Sequence, residues 1–326
     1  MGTALTPQPK AGELQSILER HLPQPYRFYR QLVPDRALRS LAIARVRRLI
    51  DRVGPAVVAF RKNEETLGAA GWCMLPSESE QFGFGAGRLE FLVAQGDYFE
   101  SRKIKSWMLE EILASCRERG VRHLVARVEA GALDTIHSLE KAGFETIDGI
   151  QTFSMPLRSH LPAPAAGFEA RLFSPSDLEQ VLAIARSANV YDRFHADAAL
   201  SKQTAEAVNE TWVRNACAGR TADAVVVVCE SGVVLGYATC KLDAEAADCL
   251  GVSLGSIGMV ATAVQARRRG IGRAATLAAL EWFRQHRVEA VDAGTQFQNL
   301  AAACLYERCG FQLADISLTF RKLMRT

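Results

Sequence analysis

The stretch RRRGIGR, residues 267–273, decides how the second half of this 326-residue chain folds. A β-branched, apolar run at residues 255–264 leads into it, and a helical pattern continues from it through His286. Its two glycines let the backbone between strand and helix approach a ligand closely. The helix N-terminus offers unpaired N–H groups and a partial positive charge, and the arginines add more. The stretch therefore predicts a pyrophosphate site, although alone it also fits a tight surface turn with solvated arginines.

The elements on either side of this stretch predict a mixed α/β layer with a central sheet. Two β-branched runs flank Ser231-Gly232, which is typical of a hairpin. Ser174-Pro175 resembles a helix start, with a serine cap and a proline in the first turn. Further helices are predicted over 178–187, 201–219 and 299–309, and further strands over 224–230, 233–242, 288–295 and 316–323.

The same pattern occurs earlier in the chain. The segment HSLEKAGF, ending at Phe144, lies over CLYERCGF, ending at Phe311, at a shift of 167 residues. Residues 56–75 lie over residues 224–242 at a shift of 168, as one loop insertion would produce. A shift sustained through strand, helix and turn predicts two tandem copies of one fold.

The segment that connects the two copies is predicted from its prolines. Pro156, Pro162 and Pro164 disfavour a helix and cannot donate backbone hydrogen bonds in a sheet. This segment is therefore typical of a linker. We therefore predict a first module at residues 1–157, a linker at 158–167 and a second module at 168–326.

Composition narrows the function classes. Apolar residues make up 48% and charged residues 23% of the chain, and the net charge is +3, which does not suggest a nucleic-acid or membrane-surface binder. No stretch reaches 18 uninterrupted apolar residues, and the N-terminus lacks the apolar core of a signal peptide. The eight cysteines form no CxxC pair and the six histidines are scattered. We expect a cytoplasmic protein with reduced thiols and no metal site.

Two motifs together resemble a known family. Residues 267–272 fit R/Q-x-x-G-x-G/A after a strand, and NLAAACLYERCGF at 299–311 fits N-x-x-A-x-x-L-Y-E-x-x-G-F. This series resembles the GNAT superfamily of acyl-CoA N-acyltransferases, and the resemblance covers about residues 168–324. It implies two tandem GNAT-like modules, each a mixed central sheet flanked by helices. It also implies an acetyl-CoA-dependent N-acetyltransferase acting on a primary amine of a small molecule.

The resemblance implies roles for individual residues. Loop amides would hold the pyrophosphate of acetyl-CoA, and the strand before the loop would bind its pantetheine arm and polarise the thioester carbonyl. Tyr306 would be the general acid that protonates the departing thiolate in a direct transfer; alternatively, it is a helix aromatic that packs on Phe311. The implied cofactor residues are Val260, Thr262, Arg267, Arg268, Arg269, Gly270, Ile271, Gly272, Arg273 and Asn299.

The sequence does not select a general base. A water relay is one option, and the candidate side chains are Asp192, His195, Asp197, Glu230 and Asp292.

The acceptor is suggested by a looser resemblance. The segment YDRFHAD at 191–197 is similar to one in the branch that acetylates nucleotide-linked amino sugars such as dTDP-fucosamine. This implies substrate binding by Arg193, Phe194 and His195, with Phe194 stacking on a base or sugar. Alternatively, Phe194 is a core residue and His195 a solvated loop residue. An aminoglycoside, a thiol-precursor amine or a peptide N-terminus are other acceptors, and a silent acyl-CoA-binding sensor is the alternative outside catalysis.

The first copy lacks the residues assigned to the cofactor. At the shift of 167, the residues that replace Arg267, Gly270, Gly272, Asn299 and Tyr306 are Glu100, Lys103, Lys105, Ala132 and Leu139. We predict a degenerate, non-catalytic module that packs against the active half, shapes the acceptor pocket or supports a homodimer. Its glycine-rich stretch at 82–87 resembles a hairpin connection more than a phosphate site.

Overall fold

A computed structural model describes residues 3–7, 9, 11–51, 56–157, 167–188 and 191–324. The elements of the first repeat are β1 (Thr3–Pro7), α1 (Ala11–His21), α2 (Asp35–Asp51), β2 (Ala56–Lys62), β3 (Glu65–Met74), α3 (Pro76–Phe82), β4 (Gly85–Ala94), α4 (Tyr98–Glu118), β5 (Val121–Glu129), α5 (Leu133–Lys141) and β6 (Glu145–Pro156). Those of the second repeat are β7 (Glu169–Leu172), α6 (Leu178–Ala188), α7 (Arg193–Ala196), α8 (Lys202–Cys217), β8 (Ala224–Glu230), β9 (Val233–Leu242), α9 (Ala244–Leu250), β10 (Leu254–Thr262), α10 (Ile271–Gln285), β11 (Ala290–Gln296), α11 (Leu300–Arg308) and β12 (Gln312–Leu323).

The predicted α/β fold with two copies is confirmed. Helices α5 and α11, and strands β6 and β12, have bounds that differ by the predicted shift of 167 residues at both ends. Strands β2 and β8, and β3 and β9, differ by 168 in the same way. Helices α3 and α9 also correspond, although the sequence pattern predicted neither of them. From β2 and β8 onward, the two repeats therefore have the same order of helices and strands.

Local signals predicted turns and caps correctly. Ser231 and Gly232 connect β8 to β9 with φ of 49° and 80°, the left-handed pair that a type I′ hairpin requires. Ser174 forms a capping box with Asp177 immediately before α6. The chain can satisfy these signals within a few residues, which is why sequence alone predicts them.

The folded units do not coincide with the repeats. One compact unit contains residues 1–148 and 317–326, and the second contains residues 149–316. The sheet of the first unit has the order β1-β2-β3-β4-β5-β12, and that of the second has the order β6-β11-β10-β9-β8-β7. Residues 317–323 of β12 pair antiparallel with β5, and residues 150–156 of β6 pair antiparallel with β11. Each repeat thus supplies its last strand to the unit built mainly by the other repeat.

Two equivalent phenylalanines occupy the exchanged strands. Phe153 lies opposite Ala293 in the core of the second unit, and Phe320 lies in the core of the first unit with Leu139. The compact units therefore cross the predicted module boundaries by one strand each. Pro156, assigned to the connecting segment, is the last residue of β6 opposite Ala290, whereas residues 158–166 of the predicted linker lie outside the described residues.

Removing the Phe320 ring should destabilise the first unit. Phe320 is fully buried, and truncating a buried phenylalanine to alanine costs about 3–5 kcal/mol through lost burial and the cavity left behind. Hydrogen exchange of the β5 amides under native conditions should report a loss of this size for Phe320→Ala. Phe297→Ala is the matched control, because Phe297 is 41% exposed; equal effects of the two substitutions would contradict the exchange of strands.

The interpretation of residues 82–87 as a hairpin connection is confirmed in part, because residues 83 and 84 complete the connection between β3 and β4, which pair antiparallel. Pro76 begins α3, Gly83 ends it with φ of 73°, and β4 already starts at Gly85. A Cβ at Gly85 would lie 2.3 Å from the carbonyl oxygen of Gly120, so this glycine permits a close approach of two backbones.

Within the described part of the chain, no helix is both long enough and apolar enough to cross a membrane. Four of the eight cysteines are buried, whereas Cys249 and Cys304 are exposed.

Candidate active site

The neighbouring parallel strands β10 and β11 separate in the second unit. Their pairing begins with Leu254 opposite Ala290 and ends with Ile257 opposite Ala293. Strand β10 nevertheless continues to Thr262, so one backbone edge of residues 258–262 has no strand partner among the described residues. We call the gap between residues 258–262 and 294–296 the wedge. Its exposed backbone can hydrogen-bond an extended ligand as an additional strand would.

A bulge shapes the β10 side of the wedge. The register between β10 and β9 shifts between Ile257 and Val260, leaving two residues opposite Thr239. The hydroxyl of Thr239 accepts a hydrogen bond from the backbone N–H of Met259 at 2.9 Å. The bulge therefore bends β10 at the point where the strands part.

The loop after β10 presents backbone amides at the start of α10. Arg268 and Gly270 have left-handed φ values of 64° and 88°, and Gly270 is the N-cap residue. No described side chain caps this helix, and its first turn has no acidic residue. The first N–H groups of a helix lack intrahelical acceptors and carry the positive end of its dipole. This end of α10 is therefore suited to an anion.

The arginines of the loop differ in their surroundings. Arg267, Arg268 and Arg269 are exposed. Arg269 donates a hydrogen bond to Glu230 at 2.6 Å, and its guanidinium carbon lies 5.5 Å from the centroid of the Phe168 ring. Glu230, one of the candidate bases, thus serves as an ion-pair partner of the loop.

Gly272 lies where α10 approaches both β10 and α11. A Cβ at this position would lie 3.3 Å from Leu305 Cδ2 and 3.5 Å from Thr262 Oγ1. The φ of Gly272 is not in the left-handed range. The limited room for a side chain therefore accounts for this glycine. Any larger side chain would enter the space between the loop and the wedge.

Tyr306 lies on α11, as predicted, and Asn299 is the N-cap residue immediately before this helix. The Tyr306 side chain is buried, and its ring lies 5.7 Å from that of Phe153 and 5.6 Å from that of Phe311. Burial raises the pKa of Tyr306 above its usual value, so the phenol stays protonated at neutral pH. Asn299 caps α11 by accepting a hydrogen bond from the Ala302 N–H at 3.2 Å; its predicted contact with the cofactor stays a prediction.

Helix α7 carries the predicted substrate residues. The carboxylate of Asp192 caps this helix and contacts His195 Nδ1 at 2.6 Å, and it also accepts a hydrogen bond from Asn209 at 2.8 Å. Phe194 is buried with its ring 5.1 Å from that of Trp212, and the Arg193 guanidinium lies 4.2 Å from the Phe194 ring centroid. The stacking role expected for Phe194 does not fit this burial, and the core interpretation does. Trp212, whose contact buries Phe194, lies too far along the chain for spacing to have revealed it.

Asp292 lies beside the wedge. It is opposite Ser256 in the register of β10 and β11, one pair before the strands part. The Ser256 hydroxyl donates a hydrogen bond to Asp292 Oδ1 at 2.9 Å, whereas Oδ2 is buried without a hydrogen-bond partner among the described residues. Burial raises the pKa of Asp292 to about 7, with the Ser256 hydrogen bond acting in the opposite direction. Sequence reasoning missed Ser256, because only the register brings it to Asp292.

The corresponding loop of the first unit has become helix. Helix α4 starts at Tyr98, so positions equivalent to 265–270 are already helical. The carboxylate of Asp97 accepts hydrogen bonds from the N–H groups of Phe99 and Glu100, both at 2.9 Å. An acidic side chain thus occupies the end of α4 that would have to receive an anion.

Lys105 fills the position that corresponds to Gly272. It is buried, and its ammonium group donates hydrogen bonds to Asp134 and, at 2.8 Å, to Thr135 on α5. Ser101 donates to the same carboxylate at 2.6 Å. Burial lowers the pKa of Lys105, and its contact with Asp134 opposes this change. This ion pair closes in the first unit the space that Gly272 leaves in the second.

The second unit is similar to known acetyltransferases in sequence and in fold. Residues 183–311 match the model of the acetyltransferase (GNAT) family. The matched segment lies within the second unit, which is therefore similar to the domains of this family. Its fold is similar to that of a tandem GNAT protein from the clavulanic acid biosynthesis pathway, with a TM-score of 0.59, 15% identity, and coverage of 99% of this chain and 98% of that chain.

Two curated proteins are similar in sequence. The spore coat polysaccharide biosynthesis protein SpsD of Bacillus subtilis is 32% identical over 146 residues, which cover 44% of this chain and 47% of SpsD. The match thus spans about half the length of that relative. The mycothiol acetyltransferase of Acidimicrobium ferrooxidans is 25% identical over 239 residues, covering 72% of this chain and 74% of the relative.

Proposed function

We propose that this protein transfers an acetyl group from acetyl-CoA to a primary amine of a small molecule. The observation that carries the proposal is the uncapped N-terminus of α10 beside the wedge. The first unit provides the contrast, because there the same helix end is capped by Asp97 and the neighbouring space is filled by Lys105. The second unit is therefore the catalytic one in this proposal.

The residues present fit acetyl-CoA, which when bound supplies the acyl group as a reactive thioester. The amides of residues 268–273 and the side chains of Arg267 and Arg268 would hold the pyrophosphate, since the first turn of α10 has no acidic side chain to repel it. The unpaired edge of β10 around Val260 and Thr262 would bind the pantetheine arm.

Two groups of the chain would lower the activation free energy of acetyl transfer. A backbone N–H on the β10 edge would stabilise the charge that develops on the thioester oxygen, an effect of about 3–4 kcal/mol for one fixed donor. Tyr306 would donate its proton to the departing sulfur, and its raised pKa keeps that proton in place until then. Both contributions come from the second unit.

The acceptor we propose first is a nucleotide-linked amino sugar. The arginine and histidine of α7, Arg193 and His195, would meet its phosphate and sugar groups. The name of SpsD, which refers to polysaccharide biosynthesis, agrees with a sugar acceptor. The name of the mycothiol acetyltransferase keeps a thiol-precursor amine as the second candidate.

The proposal is tested with the full chain and a panel of amines. Calorimetry measures acetyl-CoA binding, and thiol release measures transfer to dTDP- and UDP-amino sugars, aminoglycosides, polyamines and peptides. We expect binding with thiol release for amino sugars. Release only with another amine would overturn the acceptor, binding without release on any amine would favour a silent sensor, and absence of binding would overturn the function.

A further inference from the structure

We propose that Asp292 is the general base that takes a proton from the ammonium group of the acceptor, and that Ser256 is its positioning residue. This inference rests on the proposed N-acetyl transfer. It names a residue for the one step that the sequence leaves open among five side chains and a water relay.

The position of Asp292 fits the role. Asp292 precedes Ala293, the last residue of β11 that pairs with β10, so its carboxylate lies where the strands begin to separate. Val291 and Ala293 belong to the hydrophobic core, and alternation along a strand directs Asp292 to the opposite face of the sheet. The carboxylate is thus at the inner end of the wedge but outside the core.

One carboxylate oxygen is fixed and the other lacks a partner. Ser256 holds Oδ1 at 2.9 Å, while Oδ2 is shielded from solvent and has no hydrogen-bond partner among the residues that the structure describes. Buried carboxylate oxygens are normally satisfied, because leaving one without a donor costs free energy. A ligand that brings an N–H donor, such as a primary ammonium group, would satisfy Oδ2.

The other candidate carboxylates are already engaged. Asp192 accepts hydrogen bonds from two backbone N–H groups of α7 and contacts His195. Asp197 is buried and accepts a hydrogen bond from the Ala199 N–H at 2.9 Å. Glu230 forms the ion pair with Arg269. Among these candidates, Asp292 is the one with a buried carboxylate oxygen that has no hydrogen-bond partner in the described part of the chain.

The proton balance of the reaction is complete with these groups. Asp292 takes one proton from the ammonium nitrogen, which leaves a neutral amine with a lone pair. That nitrogen bonds to the carbonyl carbon of the thioester as the carbon–sulfur bond breaks, and Tyr306 protonates the sulfur. The nitrogen loses a second proton, which restores the phenol through solvent, and Asp292 releases its own proton to water.

The charged surroundings of Asp292 set the expected pH dependence. Ser256 faces it from β10, and the carboxylate of Asp243, before α9, adds a like charge that disfavours its ionisation. Lys241 lies in the same row of β9, but its ammonium contacts Asp223 at 3.3 Å, and Ser154 faces Asp292 from β6 without a charge. A base must be deprotonated to act, so kcat/KM should rise as the pH passes upward through about 7.

The test compares Asp292→Asn, Ser256→Ala and the wild-type chain in kcat/KM measured from below to above neutral pH, using the acceptor found with the panel. Asp292→Asn should lower kcat/KM by about 10²-fold and remove the rising limb, while acetyl-CoA binds as before. Ser256→Ala deletes the hydrogen bond that favours the carboxylate, so the limb should move about one pH unit upward. If the rising limb instead reflected titration of the substrate amine, Ser256→Ala would not move it.

Glu289→Gln is the matched control, because it also removes a carboxylate close to β11 but from an exposed side chain, and it should leave the profile unchanged. Retention of the rising limb in Asp292→Asn, or an unmoved limb in Ser256→Ala, would overturn the inference. So would a loss of acetyl-CoA binding in Asp292→Asn, which would indicate a structural role. Failure of the wild-type chain to acetylate any amine would instead overturn the proposed function.

Discussion

Tyr306→Phe should lower kcat by about 10²–10⁴-fold and leave the Kd for acetyl-CoA unchanged. The substitution keeps the ring that packs on Phe153 and Phe311, so the core around α11 is retained. It removes only the hydroxyl, whose pKa is raised by burial and whose proton is therefore present at neutral pH. The expected loss is thus the contribution of one positioned proton donor.

The measurement combines steady-state thiol release with calorimetry of acetyl-CoA binding. Tyr29→Phe is the matched control, since Tyr29 is a buried tyrosine of the first unit and the same oxygen is deleted there. Unchanged turnover in Tyr306→Phe would remove Tyr306 from the mechanism. A weakened acetyl-CoA complex with normal turnover would assign the hydroxyl to binding.

The fold could be predicted where local sequence determines it. The turn at Ser231-Gly232 and the cap at Ser174 depend on residues that adjoin them, and both were predicted correctly. The exchange of last strands was not predictable, because Phe153 and Phe320 are equivalent residues and each would fit either core. Only the completed sheets determine which strand joins which unit.

The same distinction between local and distant contacts applies to the candidate site. The loop with Gly270 and Gly272 is contiguous, so its chemistry is apparent in the sequence. The contact between Ser256 and Asp292 joins residues 36 positions apart and depends on the register of two parallel strands. The burial of Phe194 likewise depends on Trp212 of another helix. Spacing alone therefore predicts a candidate anion site, but not which carboxylate has an oxygen without a partner among the described residues.

The second large effect should come from Gly272→Glu, which we expect to weaken acetyl-CoA binding by at least about 10³-fold. Even a Cβ at this position approaches Leu305 and Thr262 to 3.3 and 3.5 Å. A glutamate would have to enter the space beside the wedge and would place a negative charge in the first turn of α10, where the pyrophosphate is proposed to bind. Calorimetry of the purified variant measures the loss, and circular dichroism verifies that it is folded.

The equivalent position of the first unit supplies the control. Lys105→Ala removes the partner of the Asp134 carboxylate, so it should cost about 1–3 kcal/mol in unfolding free energy. It should not change acetyl-CoA affinity or create a second site, because helical residues and the Asp97 cap still occupy the region that corresponds to the loop. One acetyl-CoA per chain in both the wild type and Lys105→Ala is the expected stoichiometry. A second equivalent in Lys105→Ala would mean that the lysine alone blocks the first unit, and undiminished binding in Gly272→Glu would place the pyrophosphate elsewhere.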